Sequence, residues 1–103
     1  MYVRLHAEEP TIRAENTGML DQPCQDSCLE FFVSAAEHDA RYINIELNPN
    51  LCIYFGFGTG REDLMRLLLP DGAKTLHAAS ERTPNGWDVT YELPFQLLRL
   101  FFP

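Results

Sequence analysis

Two stretches of the chain alternate strictly between apolar and polar side chains. The first, Asp26–Val33, has an apolar residue at every second position from Leu29 onward, and the second, Tyr42–Asn48, does so from Ile43. A period of two is typical of a strand with one face against a core. The opposite sides of these two strands carry a thiol, carboxylates, amides and aromatic rings, contributed by Asp26, Cys28, Glu30, Phe32, Tyr42, Asn44, Glu46 and Asn48.

The same alternation predicts further strands, separated by segments rich in turn-forming residues. These strands are Tyr2–Glu8, Leu51–Phe57, Trp87–Leu93 and, more weakly, Lys74–Ser80, while 15–25 is a loop and 48–50, 70–72 and 84–86 are turns. Consecutive strands joined by short turns form hairpins. We therefore expect an antiparallel meander between residues 27 and 57.

Two segments allow helices. Thr59 and Glu62 have the spacing of a capping box, which favours a short helix over 64–68, but a loop with a short strand fits this segment equally well. Residues 95–102 are apolar enough for one helical turn. The chain of 103 residues is long enough for one domain. The prediction is an all-β antiparallel sandwich with at most one or two short helices, and the abrupt ends suggest a domain truncated at one or both termini.

The charge narrows the range of partners. The formal net charge is −7, and 46% of the residues are hydrophobic, as in a folded domain. An acidic surface repels phosphate backbones and anionic lipids, so we expect no nucleic acid and no membrane as partner. Neutral ligands such as sugars, and cations, remain possible.

The cysteines are predicted to be reduced structural thiols. They are Cys24, Cys28 and Cys52, an odd number, and no Cys or His cluster completes a metal set. Reduced thiols favour the cytoplasm, and the sequence contains no recognisable signal peptide or apolar span, so the localisation stays open.

The polar sides of the strands define a candidate ligand surface. If the strands at Tyr2, Ser27 and Tyr42 share one sheet, their outward faces combine. Aromatic rings suit the apolar side of a sugar, and charged or amide groups make paired hydrogen bonds to hydroxyls. The candidate ligand-binding residues are Arg4, Glu30, Phe32, Tyr42, Asn44 and Glu46. The alternative is a solvated sheet face with cross-strand ion pairs, such as Arg4 with Glu30.

Other chemistry has weaker support. Glu30 and Glu46, if directly opposite, would lie roughly 5 Å apart, which is the spacing of a two-carboxylate glycoside hydrolase. No other catalytic motif is present, and Trp87 lies on the apolar side of its strand, as a core residue does. The loop carboxylates Glu15, Asp21 and Asp26 form a conceivable calcium site without the spacing of an EF-hand.

The two alternating strands together resemble carbohydrate-binding module family 9. That family has a D-S-x-x-E-x-F strand followed by a Y-x-N-x-E-x-N strand, matched here by 26–32 and 42–48. Glu9-Pro10, Arg13-Ala14, and Trp87 with Leu93-Pro94-Phe95 resemble further elements, so the likeness extends from about Tyr2 to Phe95.

The resemblance implies a jelly-roll β-sandwich that binds glycans without catalysis. Family members are bacterial, are often secreted, accompany glycoside hydrolases such as xylanases in polysaccharide catabolism, and bind calcium. Xylanase-linked members clamp a sugar between two tryptophans, whereas this chain has only Trp87. A second hypothesis is a structural or assembly domain, in which the apolar tail of Leu100, Phe101 and Phe102 docks on a second copy or on another domain of a parent protein.

Overall fold

Two antiparallel β-sheets form the framework of the protein. The computed structural model describes all 103 residues. The strands are β1 (Tyr2–Glu8), β2 (Leu29–Val33), β3 (Tyr42–Leu47), β4 (Ile53–Gly58), β5 (Met65–Leu67), β6 (Ala79–Thr83) and β7 (Gly86–Glu92), and the helices are α1 (Gly72–Thr75) and α2 (Phe95–Phe101). A single 3-10 turn covers Pro23–Gln25. The predicted all-β fold with two short helices is confirmed.

The order of the strands confirms one topological prediction and does not meet the condition of another. One sheet has the order β2-β3-β4-β5, in which β2, β3 and β4 are the predicted meander. The other has the order β1-β7-β6, with Val3 opposite Tyr91 and Ala7 opposite Trp87. The condition under which Arg4 was grouped with the other candidates, that β1 shares a sheet with β2 and β3, is therefore not met. Alternation shows which side of a strand is buried but does not identify its neighbour.

The apolar sides of both sheets meet in one core, so the fold is a β-sandwich. The fully buried side chains from the four-stranded sheet include Ile45 and Phe55, and those from the three-stranded sheet include Trp87 and Tyr91. Trp87 has an exposed fraction of 0%, which confirms its prediction as a core residue.

One predicted strand is partly wrong, and the segment after Gly58, for which the sequence allowed either a helix or a short strand, is now assigned. The predicted strand over Lys74–Ser80 is wrong over 74–78, because 72–75 form α1 and strand pairing starts only at Ala79. The segment after Gly58 is a turn and a short strand rather than a helix. There the carboxylate of Asp63 accepts hydrogen bonds from the N–H groups of Thr59 and Gly60, which closes a turn.

Phe101 at the end of helix α2 and Phe102 just after it pack their rings back onto the core. The ring of Phe101 lies 4.8 Å from that of Phe57, and the ring of Phe102 lies 5.7 Å from it. Leu100, by contrast, is 76% exposed. Most of the predicted docking tail is thus occupied within the domain, and docking of the tail on a partner stays a prediction. Neither helix has the length and apolar character needed to span a bilayer.

Candidate functional site

The outward side of the four-stranded sheet collects most of the predicted site residues. Strand pairing places Glu30 opposite Glu46 and Phe32 opposite Asn44, and the next strand brings Tyr54 opposite Glu46. We call this surface the polar face; it consists of Cys28, Glu30, Phe32, Tyr42, Asn44, Glu46, Tyr54 and Arg66. It is a sheet surface, and a cavity of about 540 Å³ lies elsewhere, between the end of β1 and the β6–β7 turn.

Two aromatic rings stand together at one end of the polar face. The rings of Phe32 and Tyr42 have centroids 5.7 Å apart and are tilted by 59°. Phe32 is 55% exposed. Exposed aromatic surface on a sheet offers an apolar platform that a flat ligand can cover.

Glycines on β4 create space in the middle of the face. Gly56 is opposite Asn44, and Gly58 is opposite Tyr42. A Cβ atom at Gly56 would lie 2.7 Å from Cε1 of Tyr54, so the tyrosine ring can lie along the strand only because this position has no side chain. Alternation along β4 would have indicated Tyr54 as an outward residue. However, no residue of β4 was among the candidates predicted from the sequence.

Arg66 from β5 completes the face and was also missed from the sequence. Its guanidinium carbon lies 5.1 Å from the centre of the Tyr54 ring, in a cation–π arrangement. The same guanidinium donates to the backbone carbonyls of Met19, Leu20 and Asp21 at 2.7 to 3.0 Å. Arg66 therefore holds the 19–21 segment beside the face. No local pattern marks it, because the carbonyls that it binds in the 19–21 segment are more than 40 positions away.

The carboxylates of Glu30 and Glu46 face each other across neighbouring strands. The Sγ atom of Cys28 and one carboxylate oxygen of each glutamate all lie within 4.8 Å of one another. Burial raises the pKa of Glu46, and the negative charge of Glu30 raises it further, whereas the hydrogen bond from Asn44 lowers it. Two like charges at this distance destabilise the ionised pair, so the cluster can accept protons, hydroxyl donors or a cation.

Asn44 is the most enclosed polar residue of the face. It is only 5% exposed although its side chain is on the outward side of the sheet. Its Nδ2 donates to Oε2 of Glu46 at 2.8 Å, but its Oδ1 is buried without a hydrogen-bond partner. A buried acceptor without a donor costs free energy, so a ligand hydroxyl, a water or a cation at this point would be stabilising.

Arg4 lies on the other sheet, away from the polar face. Its Nη2 donates to Oδ2 of Asp88 at 3.1 Å, and His6 makes a second bond to the same carboxylate. The suggested ion pair with Glu30 is therefore wrong, because β1 pairs with β7. The structure brings together the other candidates and separates Arg4 from them.

Asp26 acts as a structural anchor. Its Oδ2 accepts hydrogen bonds from the N–H groups of Glu15 and Asn16 and from Nδ2 of Asn48, while Arg13 donates to Oδ1. The hydrogen bond from the Asn16 N–H, together with those from Asn48 and the Glu15 N–H, lowers the pKa of Asp26 to about 2. The side chain is thus turned into the loop and away from the polar face.

The loop does not present the donor set of a calcium site. Oxygens of Asp26 are occupied by N–H donors, and Oδ2 of Asp21 accepts from the N–H groups of Thr17 and Gly18. Glu15, Asp21 and Asp26 do not converge as a cluster of metal-ligating atoms. Calcium binding by this domain therefore stays a prediction that rests on the family resemblance.

The fold and the polar face are those expected of an all-β binding module. Comparison with known protein families gives the same answer, since the model of carbohydrate-binding family 9 matches residues 1–83. This range covers most of the chain, and the protein belongs to that family. It includes β1 to β6 and the whole polar face, and it ends before Trp87. No curated protein and no solved structure matches the chain.

Proposed function

We propose that the polar face is the glycan-binding site of this carbohydrate-binding domain and that the domain assists glycoside hydrolysis without catalysing it. The observation that carries the proposal is the buried, unpartnered Oδ1 of Asn44, set between an exposed aromatic pair and two carboxylates. A sugar hydroxyl would supply the missing donor. The accessory role rests on the family resemblance alone.

Each group on the face has a role in this proposal. Phe32 and Tyr42 cover the apolar side of a pyranose ring, as aromatic side chains do in wet, partly apolar sites. Glu30 and Glu46 accept hydrogen bonds from adjacent hydroxyls, which are stronger to a charged acceptor. An open sheet surface suits a chain of sugars better than a single enclosed one. The net charge of −7 favours neutral glycans over acidic ones.

The test is calorimetric titration with xylan and β-glucan oligosaccharides and with simple sugars. Intrinsic fluorescence is a poor reporter, because the sole tryptophan, Trp87, is fully buried. Glu46→Ala should weaken binding at least about tenfold, since a hydrogen bond to a charged group contributes roughly 1.5–3 kcal/mol. Phe32→Ala should weaken it through lost stacking.

Arg4→Ala is the matched control. Its charge is on the opposite side of the sandwich, so the affinity should not change. Thermal unfolding of each variant checks that the fold is retained. Absence of binding across all these sugars, or an equal loss in Arg4→Ala and Glu46→Ala, would contradict the assignment of the face.

The facing carboxylates also favour a second candidate, a two-carboxylate glycoside hydrolase. Their proximity is close to the roughly 5 Å spacing of retaining enzymes, and the raised pKa of Glu46 suits a proton donor. This candidate predicts new reducing ends in the same oligosaccharide samples, with release abolished in Glu30→Gln. Intact oligosaccharides after prolonged incubation would exclude it for these substrates.

A further inference from the structure

The thiol of Cys28 and the carboxylates of Glu30 and Glu46 converge at the end of β2. One potential ligand atom from each lies within 4.8 Å of the others. Cys28 is half-buried, and its Sγ is 3.9 Å from Oε1 of Glu46. Glu30 is exposed, so its side chain can change rotamer without disturbing the core.

We infer that Cys28, Glu30 and Glu46 form a site for a zinc-like divalent cation, which shares Glu30, Glu46 and Asn44 with the proposed glycan surface but does not require that surface to bind glycans. A thiolate is a soft ligand and carboxylates are hard ones, a mixture that suits zinc, whereas calcium and magnesium take oxygen ligands only. Zinc–sulfur bonds are about 2.3 Å and zinc–oxygen bonds about 2.0–2.2 Å. The three atoms would therefore need to approach one another by about 1 Å.

Asn44 gives independent support for a bound ligand at this point. Its carboxamide contacts the cluster, because Nδ2 donates to Glu46 at 2.8 Å. Its Oδ1 is buried and accepts no hydrogen bond, and the residue as a whole is only 5% exposed. Three protein ligands leave a fourth position on zinc for water. Such a water would donate a hydrogen bond to the Asn44 carbonyl oxygen.

The cluster attracts a cation, because the carboxylates of Glu30 and Glu46 lie together beside the Cys28 thiol. The groups that face the thiol also include Cys24 and Cys52. Metal binding must displace the thiol proton, so binding should strengthen as the pH rises and should release a proton.

The test titrates the full chain, kept reduced, with zinc alone by calorimetry at pH 6 and pH 8, and with cobalt(II) by absorption. We expect one ion per chain, tighter binding at pH 8, and a thiolate-to-cobalt charge-transfer band. Cys28→Ser and Glu30→Gln should each weaken binding by more than about tenfold, and Asn44→Ala by about tenfold.

Cys24→Ser is the matched control, because Cys24 is a nearby exposed thiol outside the cluster. Its zinc affinity should equal that of the unmodified chain. The inference is overturned if the unmodified chain binds no zinc, if Cys28→Ser binds zinc equally well, or if Cys24→Ser loses binding to the same extent. No sugar is present in this experiment, so failure of glycan binding does not affect its outcome.

Discussion

Replacing Glu46 by glutamine should make the folded protein more stable at neutral pH. In the folded state Glu46 is half-buried and directly opposite Glu30, and both features raise its pKa. Like charges directly opposite each other on neighbouring strands destabilise a sheet by up to about 1 kcal/mol. Glutamine removes the charge and keeps an oxygen that accepts the hydrogen bond from Asn44.

The pH dependence of this stabilisation follows from the raised pKa of Glu46. An unfolded glutamate has a pKa of about 4.3, and that of folded Glu46 is higher. The folded state therefore retains the proton of Glu46 longer, and the contribution of Glu46 to stability falls as the pH rises from about 4 through its folded pKa. The gain from Glu46→Gln should therefore be small at pH 4 and larger at pH 7.

The magnitude is set by the partial exposure of the pair. Glu30 is exposed and partly screened by solvent, so we expect a gain in unfolding free energy of about 0.5–1 kcal/mol. For a domain of this size this corresponds to a rise in melting temperature of roughly 2–8 °C. The measurement is urea unfolding followed by circular dichroism at pH 4 and pH 7, with high salt reducing the gain.

Two variants make this measurement decisive. Glu30→Gln relieves the same repulsion, so the double variant should gain less than the sum of the two single variants. Glu62→Gln is the control, because Glu62 is exposed and makes no side-chain hydrogen bond or ion pair. A loss of stability in Glu46→Gln at pH 7, or an equal gain at pH 4, would refute the reasoning.

Two further predictions concern the framework. Gly86→Ala should lower the unfolding free energy by about 1–3 kcal/mol or more, because a Cβ atom there would lie 1.8 Å from the carbonyl oxygen of Ala7. Gly60→Ala, where a Cβ atom meets nothing within 4 Å, is the control, and an equal effect in urea unfolding would contradict the contact. Asp26→Asn should destabilise the loop above pH 4, and the difference from the unmodified protein should shrink toward pH 2, since the carboxylate of Asp26, with a pKa lowered to about 2, stabilises the fold only while ionised. A difference that is the same at pH 2 and pH 6 in urea unfolding would argue against an ionic anchor.

The site could be predicted from the sequence wherever it depends on neighbouring strands of one meander. Glu30, Phe32, Tyr42, Asn44 and Glu46 follow from alternation in two strands, and the structure does bring them together. Their binding of sugar stays a prediction for the titrations above.

The residues that were misplaced or missed depend on contacts distant in sequence. Arg4 was assigned to the wrong sheet because β1 pairs with β7, more than 80 residues away. Arg66 gave no local signal, since it binds backbone carbonyls of the 19–21 segment. Tyr54 was within reach of the alternation rule, but its position depends on the absence of a side chain at Gly56.

The sequence by itself determined most of the strands, the sides of them that are buried and the family to which the chain belongs. Those properties are local, since a period of two and a run of motif residues can be recognised without knowing what packs against them. Only the tertiary structure decided which strands share a sheet, the enclosure of Asn44 and the convergence of Cys28 with the two carboxylates. Strand pairing is selected by the total burial of apolar surface over the whole chain, so it cannot be predicted from a local pattern.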